Sequence, residues 1–229
     1  WQDWAVQAMT EGLGEKFVGT SNCLIAKNRD LAAIGTNAHE LPMIYSALAK
    51  SDEALRQAPY DVMSDWHDEH EGNLRVILPD TYGTQGFLDN APDWLAKWTG
   101  IRIDSGDPIV GAEAAIKWWE SCGEDPRKKL VIFSDGLDVE KISQLQVLFD
   151  GRVRVSFGWG TLLTNDFRGL VPDDALKPFS LVCKVVNADG RPTVKLSDNP
   201  NKAVGPINEV KRYKRVFGVD QQTSQSVIV

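Results

Sequence analysis

The strongest constraint on the fold is a device that recurs along the chain: a short apolar run that ends in small and polar residues and then opens a helix. Residues 101–108, IRIDSGDP, show it most clearly. Ile101 and Ile103 supply a strand body, while Arg102, Asp104, Ser105, Gly106 and Asp107 crowd its tip. The Asp107-Pro108 pair suits an N-cap followed by a first helical residue. A strand that ends this way fits the carboxyl end of a parallel strand, where α/β proteins hold ligands against the N-terminus of the next helix.

Five other stretches repeat the device: residues 16–22 (KFVGTSN), 32–40 (AAIGTNAHE), 73–84 (NLRVILPDTYGT), 129–138 (KLVIFSDGLD) and 152–163 (RVRVSFGWGTLL). Helical spacing of apolar residues follows each one, as in Ile109, Ala112, Ile116 and Trp119. Leu-Val-Ile-Phe at 130–133 reads as a strand buried on both faces. Residues 51–70 read as a helix or a helix pair broken at Pro59. All six tips carry their polar residues after the strand and before the helix, which predicts a TIM-like α/β barrel of parallel strands with its site in the βα loops. A doubly wound open sheet is the alternative. Residues 180–197 leave the rhythm as two alternating strands around Asn-Ala-Asp-Gly, a β-hairpin. The expected division is a barrel over residues 1–179, then a hairpin and tail over 180–229 that carries the basic KRYKR patch and a loosely ordered QQTSQS segment.

Composition narrows the function. The 229 residues are 42% hydrophobic and 25% charged, ordinary for a globular domain with one sizeable core. With 32 acidic against 25 basic residues the net charge is -7, so no global basic field recommends a nucleic acid. Cys23, Cys122 and Cys183 are widely spaced and form no CxxC, which favours a reducing, cytoplasmic setting over disulfides or structural zinc. No apolar run approaches the roughly 18 residues of a membrane span. The opening WQDWAVQAM reads as the interior of an amphipathic helix, which implies sequence upstream.

Four sets of residues could carry chemistry. His39, at a strand-to-helix tip beside Thr36 and Glu40, could act as base or nucleophile if a carboxylate such as Asp80 fixes its tautomer; a surface or capping histidine is the alternative. His67 and His70, in WHDEHEG, read as a metal pair or as a solvated helix face. The Gly158-x-Gly160-Thr161 tip and the neighbouring Ser134, Asp135 and Gly136 form a pair of loops through which backbone amides could approach phosphate. In IRIDSGDP, Arg102 suits a carboxylate, and Asp104 and Asp107 could hold ribose hydroxyls or magnesium, or could simply pair with Arg102 and cap a helix.

Taken together, FVGTSN, IGTNAHE, PDTYGT, RIDSGDP, FSDGLD, FGWGT and VKLS resemble, in order and over residues 17–197, the nicotinate phosphoribosyltransferase family. The resemblance implies an irregular α/β barrel of the type II phosphoribosyltransferases with a smaller domain built largely from N-terminal sequence. It also implies transfer of phosphoribosyl from phosphoribosyl pyrophosphate to nicotinate, with magnesium, with ATP as co-substrate through a phosphorylated histidine, and with a homodimer as the working unit. Residue by residue it places His39 as the phosphorylated histidine and Asp80 as its orienting partner. Thr36 and Arg102 fall on nicotinate, and Asp104 with Ser105 on the ribose or pyridine side. Ser134, Asp135, Gly136, Gly158, Gly160 and Thr161 fall on phosphate. Ser21 stands where nicotinamide-using relatives carry an aspartate, which favours the acid over the amide. A nicotinamide-specific transferase is one alternative. An inactive barrel fragment acting as a binding module is another, since the family's upstream tyrosine and arginine-rich motifs are not in this chain.

Overall fold

The computed structural model describes residues 1–172 and 175–219. Helices α1 (Gln2–Leu13) and α2 (Cys23–Arg29) lead to α3 (Glu40–Leu48) and α4 (Asp52–Glu69). Strand β1 (Val76–Ile77), α5 (Thr84–Asp89), β2 (Gly100–Ile103), α6 (Pro108–Ser121), β3 (Leu130–Phe133), α7 (Val139–Phe149), β4 (Arg154–Phe157) and α8 (Thr161–Thr164) follow in alternation. The hairpin strands β5 (Asn187–Ala188) and β6 (Arg191–Pro192) and the helix α9 (Ile207–Phe217) complete the order.

Strands β1 to β4 form one parallel sheet in sequence order, with Ile101 opposite Ile77 and Val131, and Phe133 opposite Ile103 and Phe157. The sheet is an open four-stranded one with β1 and β4 at its edges, so the described strands do not close into the expected barrel. The physical reason lies in the first two units. Residues 16–22 and 32–40 contribute a single parallel bridge, Thr20 to Ala33, and their apolar residues stay outside: Val18 is 60% and Ile34 40% exposed. A parallel strand needs both faces covered. Gly19 permits even that bridge, since a Cβ there would fall 2.3 Å from the Ala32 carbonyl oxygen.

Tip chemistry sets the helices as the sequence predicts. Asp107 accepts hydrogen bonds from the Ile109 and Val110 amides with Pro108 in the first turn, and Asp138 accepts from Lys141 N. Asp107 is therefore a helix cap. Burying Ala112, Ala115, Ile116 and Trp119 of α6 against Ile101, Ile103 and Val131 builds the main core. The central strand β3 is less buried than expected: Val131 and Phe133 are inside, whereas Leu130 and Ile132 are half-buried.

Pro59 does not break its helix. Helix α4 runs through it from a Ser51 cap, and the bond lost to the Leu55 carbonyl is offset by burial of Leu55, Ala58, Pro59, Val62 and Met63 on one face. His67 and His70 belong to neither reading offered by the sequence. The His67 ring packs on Trp94 and Trp98 and accepts the Trp98 indole N–H at Nδ1 (3.1 Å), and His70 lies on Trp66.

The hairpin has two residues in each strand, shorter than the alternation suggested, and its Asp189-Gly190 turn holds φ of 49° and 75°, which selects glycine at the second position. The KRYKR patch is the body of α9, whose Val210, Tyr213 and Val216 meet Leu55, Tyr82, Val194 and Leu196 in a second core. This core joins the segment expected as barrel to the segment expected as tail. The segment expected to be loosely ordered, 221–226, lies outside the described residues. Among the described residues no helix is long and apolar enough to cross a membrane.

Close approach at the β2–β3 seam gives a stability test. A Cβ on Gly100 would fall 2.2 Å from the Leu130 carbonyl oxygen, whereas one on Gly12 in α1 would meet nothing within 4 Å. Gly100→Ala is expected to cost about 2–4 kcal/mol in urea denaturation. Gly12→Ala is expected to be neutral or stabilising by up to about 1 kcal/mol.

Candidate active site

Four tips of the fold meet in one hydrogen-bonded cluster: the segment before α3, the 3₁₀ turn Pro79–Thr81 after β1, the end of β2 and the end of β3. At its centre the Asp104 carboxylate accepts from Arg102 Nη2 (2.8 Å), Ser134 Oγ (2.8 Å) and His39 Nε2 (3.0 Å). Burial pushes the Asp104 pKa up, but the His39 bond, the Arg102 charge and bond, and the Ser134 bond outweigh it and hold the carboxyl well below the usual carboxylate range.

An ionised Asp104 can only accept, so His39 Nε2 must carry hydrogen. In the neutral ring Nδ1 then keeps its lone pair and takes the Thr81 hydroxyl hydrogen at 2.9 Å. His39 is 3% exposed, so this orientation is shielded from water. Asp80, the carboxylate that the sequence suggested for orienting His39, stands further away: its Oδ1 is 3.8 Å from Nε2 and its Oδ2 accepts from Ser105 Oγ at 2.5 Å. Among the described residues that Asp80 Oδ1 is buried without a hydrogen-bond partner. The geometry therefore gives the hydrogen bond to Asp104 and leaves Asp80 as a second negative charge beside the ring.

Arg102 is held at all three corners of its guanidinium. Nε donates to Ser134 Oγ (2.8 Å), Nη1 to Thr36 Oγ1 (2.9 Å) and Nη2 to Asp104. Its side chain remains 27% exposed, so the fixed cation is reachable from solvent. Thr36, His39, Asp80, Arg102, Asp104, Ser105 and Ser134 are thus brought together. Gly158 adjoins them, because a Cβ there would lie 3.1 Å from Ser134 Cβ, and its amide donates to Phe133 O (2.8 Å). The remaining residues stand apart from this network. Asp135 pairs with Lys202 (2.7 Å), the Gly136 carbonyl accepts from Lys141 Nζ, and Thr161, after Gly160, bonds Ser180 Oγ (3.2 Å).

Two residues around the cluster carry no clear signal of a role in the sequence. One is Thr81, which holds His39 Nδ1 and sits inside a motif already singled out. The other is Lys195, 5% exposed: burial lowers its pKa, while Asp80 and Asp104 pull it back up. A lysine between Val194 and Leu196 in an alternating run was the available signal. The backbone explains its placement. Leu196 and Ser197 amides both donate to Thr81 O (2.8 and 3.2 Å), and Asp198 accepts from Thr84 N (2.8 Å) and from the Thr84 hydroxyl, so this strap is tied across the β1 tip.

His39, Asp80 and Asp104 offer ligand atoms within 4.8 Å of one another. The set does not suit magnesium, which takes oxygen ligands and retains several waters. One of the three is an imidazole, and Asp104 already accepts three hydrogen bonds.

Residues 1–221 match the family model of the nicotinate phosphoribosyltransferases (NAPRTase). A nicotinate phosphoribosyltransferase crystal structure from Porphyromonas gingivalis superposes with a TM-score of 0.85 at 33% identity, covering 95% of this chain and 56% of that one. One from Vibrio cholerae gives 0.84 at 33% identity, covering 96% and 52%. The chain spans about half the length of these structures.

The depressed pKa of Asp104 fixes a pH signature. Its contribution to stability is complete above the unfolded carboxylate value of about 3.9 and is lost as pH falls through the still lower folded value. Asp104→Ala should therefore cost about 3 kcal/mol at pH 7, mainly by leaving Arg102 unpaired. In paired denaturation curves from pH 7 down to about 2, that gap should persist to about pH 4 and narrow below it.

Proposed function

The chain belongs to the nicotinate phosphoribosyltransferase family, and from that premise we propose that the protein carrying it transfers phosphoribosyl from phosphoribosyl pyrophosphate to nicotinate. The observation that carries the reading is the cation Arg102, fixed by Thr36, Ser134 and Asp104 yet open to solvent, one carboxylate away from His39. A guanidinium held in this way favours an acid over an amide, and Ser21 places no opposing carboxylate at the first tip.

On this reading the pyridine nitrogen forms a bond to the anomeric carbon as the bond to pyrophosphate breaks. Positive charge develops on the sugar, so positioning and electrostatics matter more than a protein nucleophile. Asp80 and Asp104 face the ribose side, and Lys195 beside them supplies positive charge for a phosphate. Ser134, Gly136, Gly158, Gly160 and Thr161 belong to the tips that would take the 5′-phosphate and pyrophosphate. Magnesium would come bound to the phosphates of the substrates, and no residue is assigned to hold it.

His39 couples the transfer to ATP. Nδ1 attacks the γ-phosphorus once Thr81 turns its hydroxyl away, ADP leaves, and the ring gains a positive charge with hydrogen retained on Nε2. Asp104 and Asp80, at 3.0 and 3.8 Å, stabilise that charge. The same reading takes the open sheet as part of an irregular barrel and the homodimer as the working unit in the cytoplasm.

Two variants test the assignment. With labelled ATP, His39→Ala should lose acid-labile phosphate and retain some ATP-independent transfer; retained acid-labile label would remove His39 from the role. Arg102→Ala should raise KM for nicotinate about 10–100-fold, the weight of a lost charge-assisted hydrogen bond, with a much smaller change for phosphoribosyl pyrophosphate. Equal changes would contradict a nicotinate contact. Binding of phosphoribosyl pyrophosphate with no turnover would make the protein a binding module.

A further inference from the structure

A cavity of about 430 Å³ takes Thr81 into its wall but none of His39, Asp80, Arg102 or Asp104. It opens between α4, α5 and the end of α9, and its size is that of a small-molecule site. Two aromatic pairs contribute to its lining: Tyr60 with Phe87, centroids 5.0 Å apart, and Tyr82 with Phe217, 4.3 Å apart and within 11° of parallel. Aromatic side chains in a lining can pack against a planar ligand.

The polar groups of the lining are mixed in sign. Glu53 and Arg56 stand three residues apart on α4. Arg56 Nε donates to Val216 O (3.2 Å), and its terminal nitrogens have no hydrogen-bond partner among the described residues. Asn90 gives its amide hydrogen to Gly86 O (2.9 Å), which leaves its side-chain oxygen as an acceptor. Tyr60 donates to Phe87 O, and burial pushes its pKa up to about 12, so its hydroxyl adds no charge. A simple carboxylate would meet Glu53 and a simple cation would meet Arg56. A ring that carries donor and acceptor groups side by side satisfies both.

The cavity also touches the reacting cluster at one point. Thr81 lines it, and Thr81 Oγ1 holds His39 Nδ1 at 2.9 Å. The Thr81 carbonyl is tied down by the Leu196 and Ser197 amides, so the freedom left to the residue is rotation of its side chain. We propose that this cavity is a second small-molecule site, for a planar heterocycle of the nucleobase type, and that its occupancy is felt at His39 through Thr81. Binding there does not depend on the transferase reading.

Adenosine serves as the probe, titrated calorimetrically into the purified protein. A Cβ on Gly86 would meet only the Phe217 carbonyl oxygen, at an ordinary 3.5 Å, so Gly86→Leu fills the cavity without backbone strain. One adenosine per chain should bind, with at least tenfold loss in Gly86→Leu and in Arg56→Ala and less than twofold change in Arg102→Ala. In wild-type protein, adenosine should shift the His39 ring resonances in NMR spectra, and Thr81→Val should remove that shift. No binding, binding that survives Gly86→Leu, or binding abolished by Arg102→Ala would overturn the site. His39 resonances unmoved by bound adenosine would overturn the coupling.

Discussion

The rest of the structure depends on one half-buried carboxylate and the hydrogen bonds that keep it ionised. Asp104 sits at the end of β2, where burial alone would favour its neutral form, and Arg102, Ser134 and His39 reverse that preference. The same bonds fix their donors. Arg102 loses its freedom, His39 is held to one tautomer, and the tips of β2 and β3 are joined to the segment that starts α3. A cation, an imidazole nitrogen and a pair of carboxylates are thereby held in fixed positions, the arrangement that electrostatic preorganisation calls for.

A second layer of support comes from late in the chain. Residues 194–198 hang from the Thr81 carbonyl, bring Lys195 beside the two carboxylates and set the Asp198 carboxyl on Thr84. Burial and the nearby Asp80 raise the Asp198 pKa, against the Thr84 hydrogen bonds. Val194 and Leu196, the alternate residues of that strap, face the second core with Tyr82 and Tyr213. Period-2 alternation explains the division of labour: the apolar residues anchor the strap, and the lysine between them is turned toward the charges. Stability of the second core and electrostatics of the candidate site therefore share one short segment.

How much of this was legible in the sequence depends on whether the signal was local. Tip chemistry is local, so the Asp107 cap, the four strands of the sheet and the pairing of Asp104 with Arg102 follow from the motifs. The partner of His39 does not. Whether Asp80 or Asp104 takes the Nε2 hydrogen is decided by a difference between 3.0 and 3.8 Å, set by how the β1 and β2 tips pack. The barrel was read from six similar units, two of which form only a bridge because Val18 and Ile34 have nothing to cover them among the described residues. Pro59 misled for a related reason, since tertiary burial of the α4 face outweighs one missing backbone hydrogen bond.

If a guanidinium locked by Asp104 selects an acid at this site, the wild-type protein will show the choice when both pyridines compete. With phosphoribosyl pyrophosphate, magnesium and ATP in excess, and nicotinate and nicotinamide at equal concentration, the two mononucleotide products would be quantified by mass spectrometry. The fixed Arg102 and the neutral Ser21 predict nicotinate mononucleotide as the dominant product. A majority of nicotinamide mononucleotide would rule out selection of the acid by Arg102.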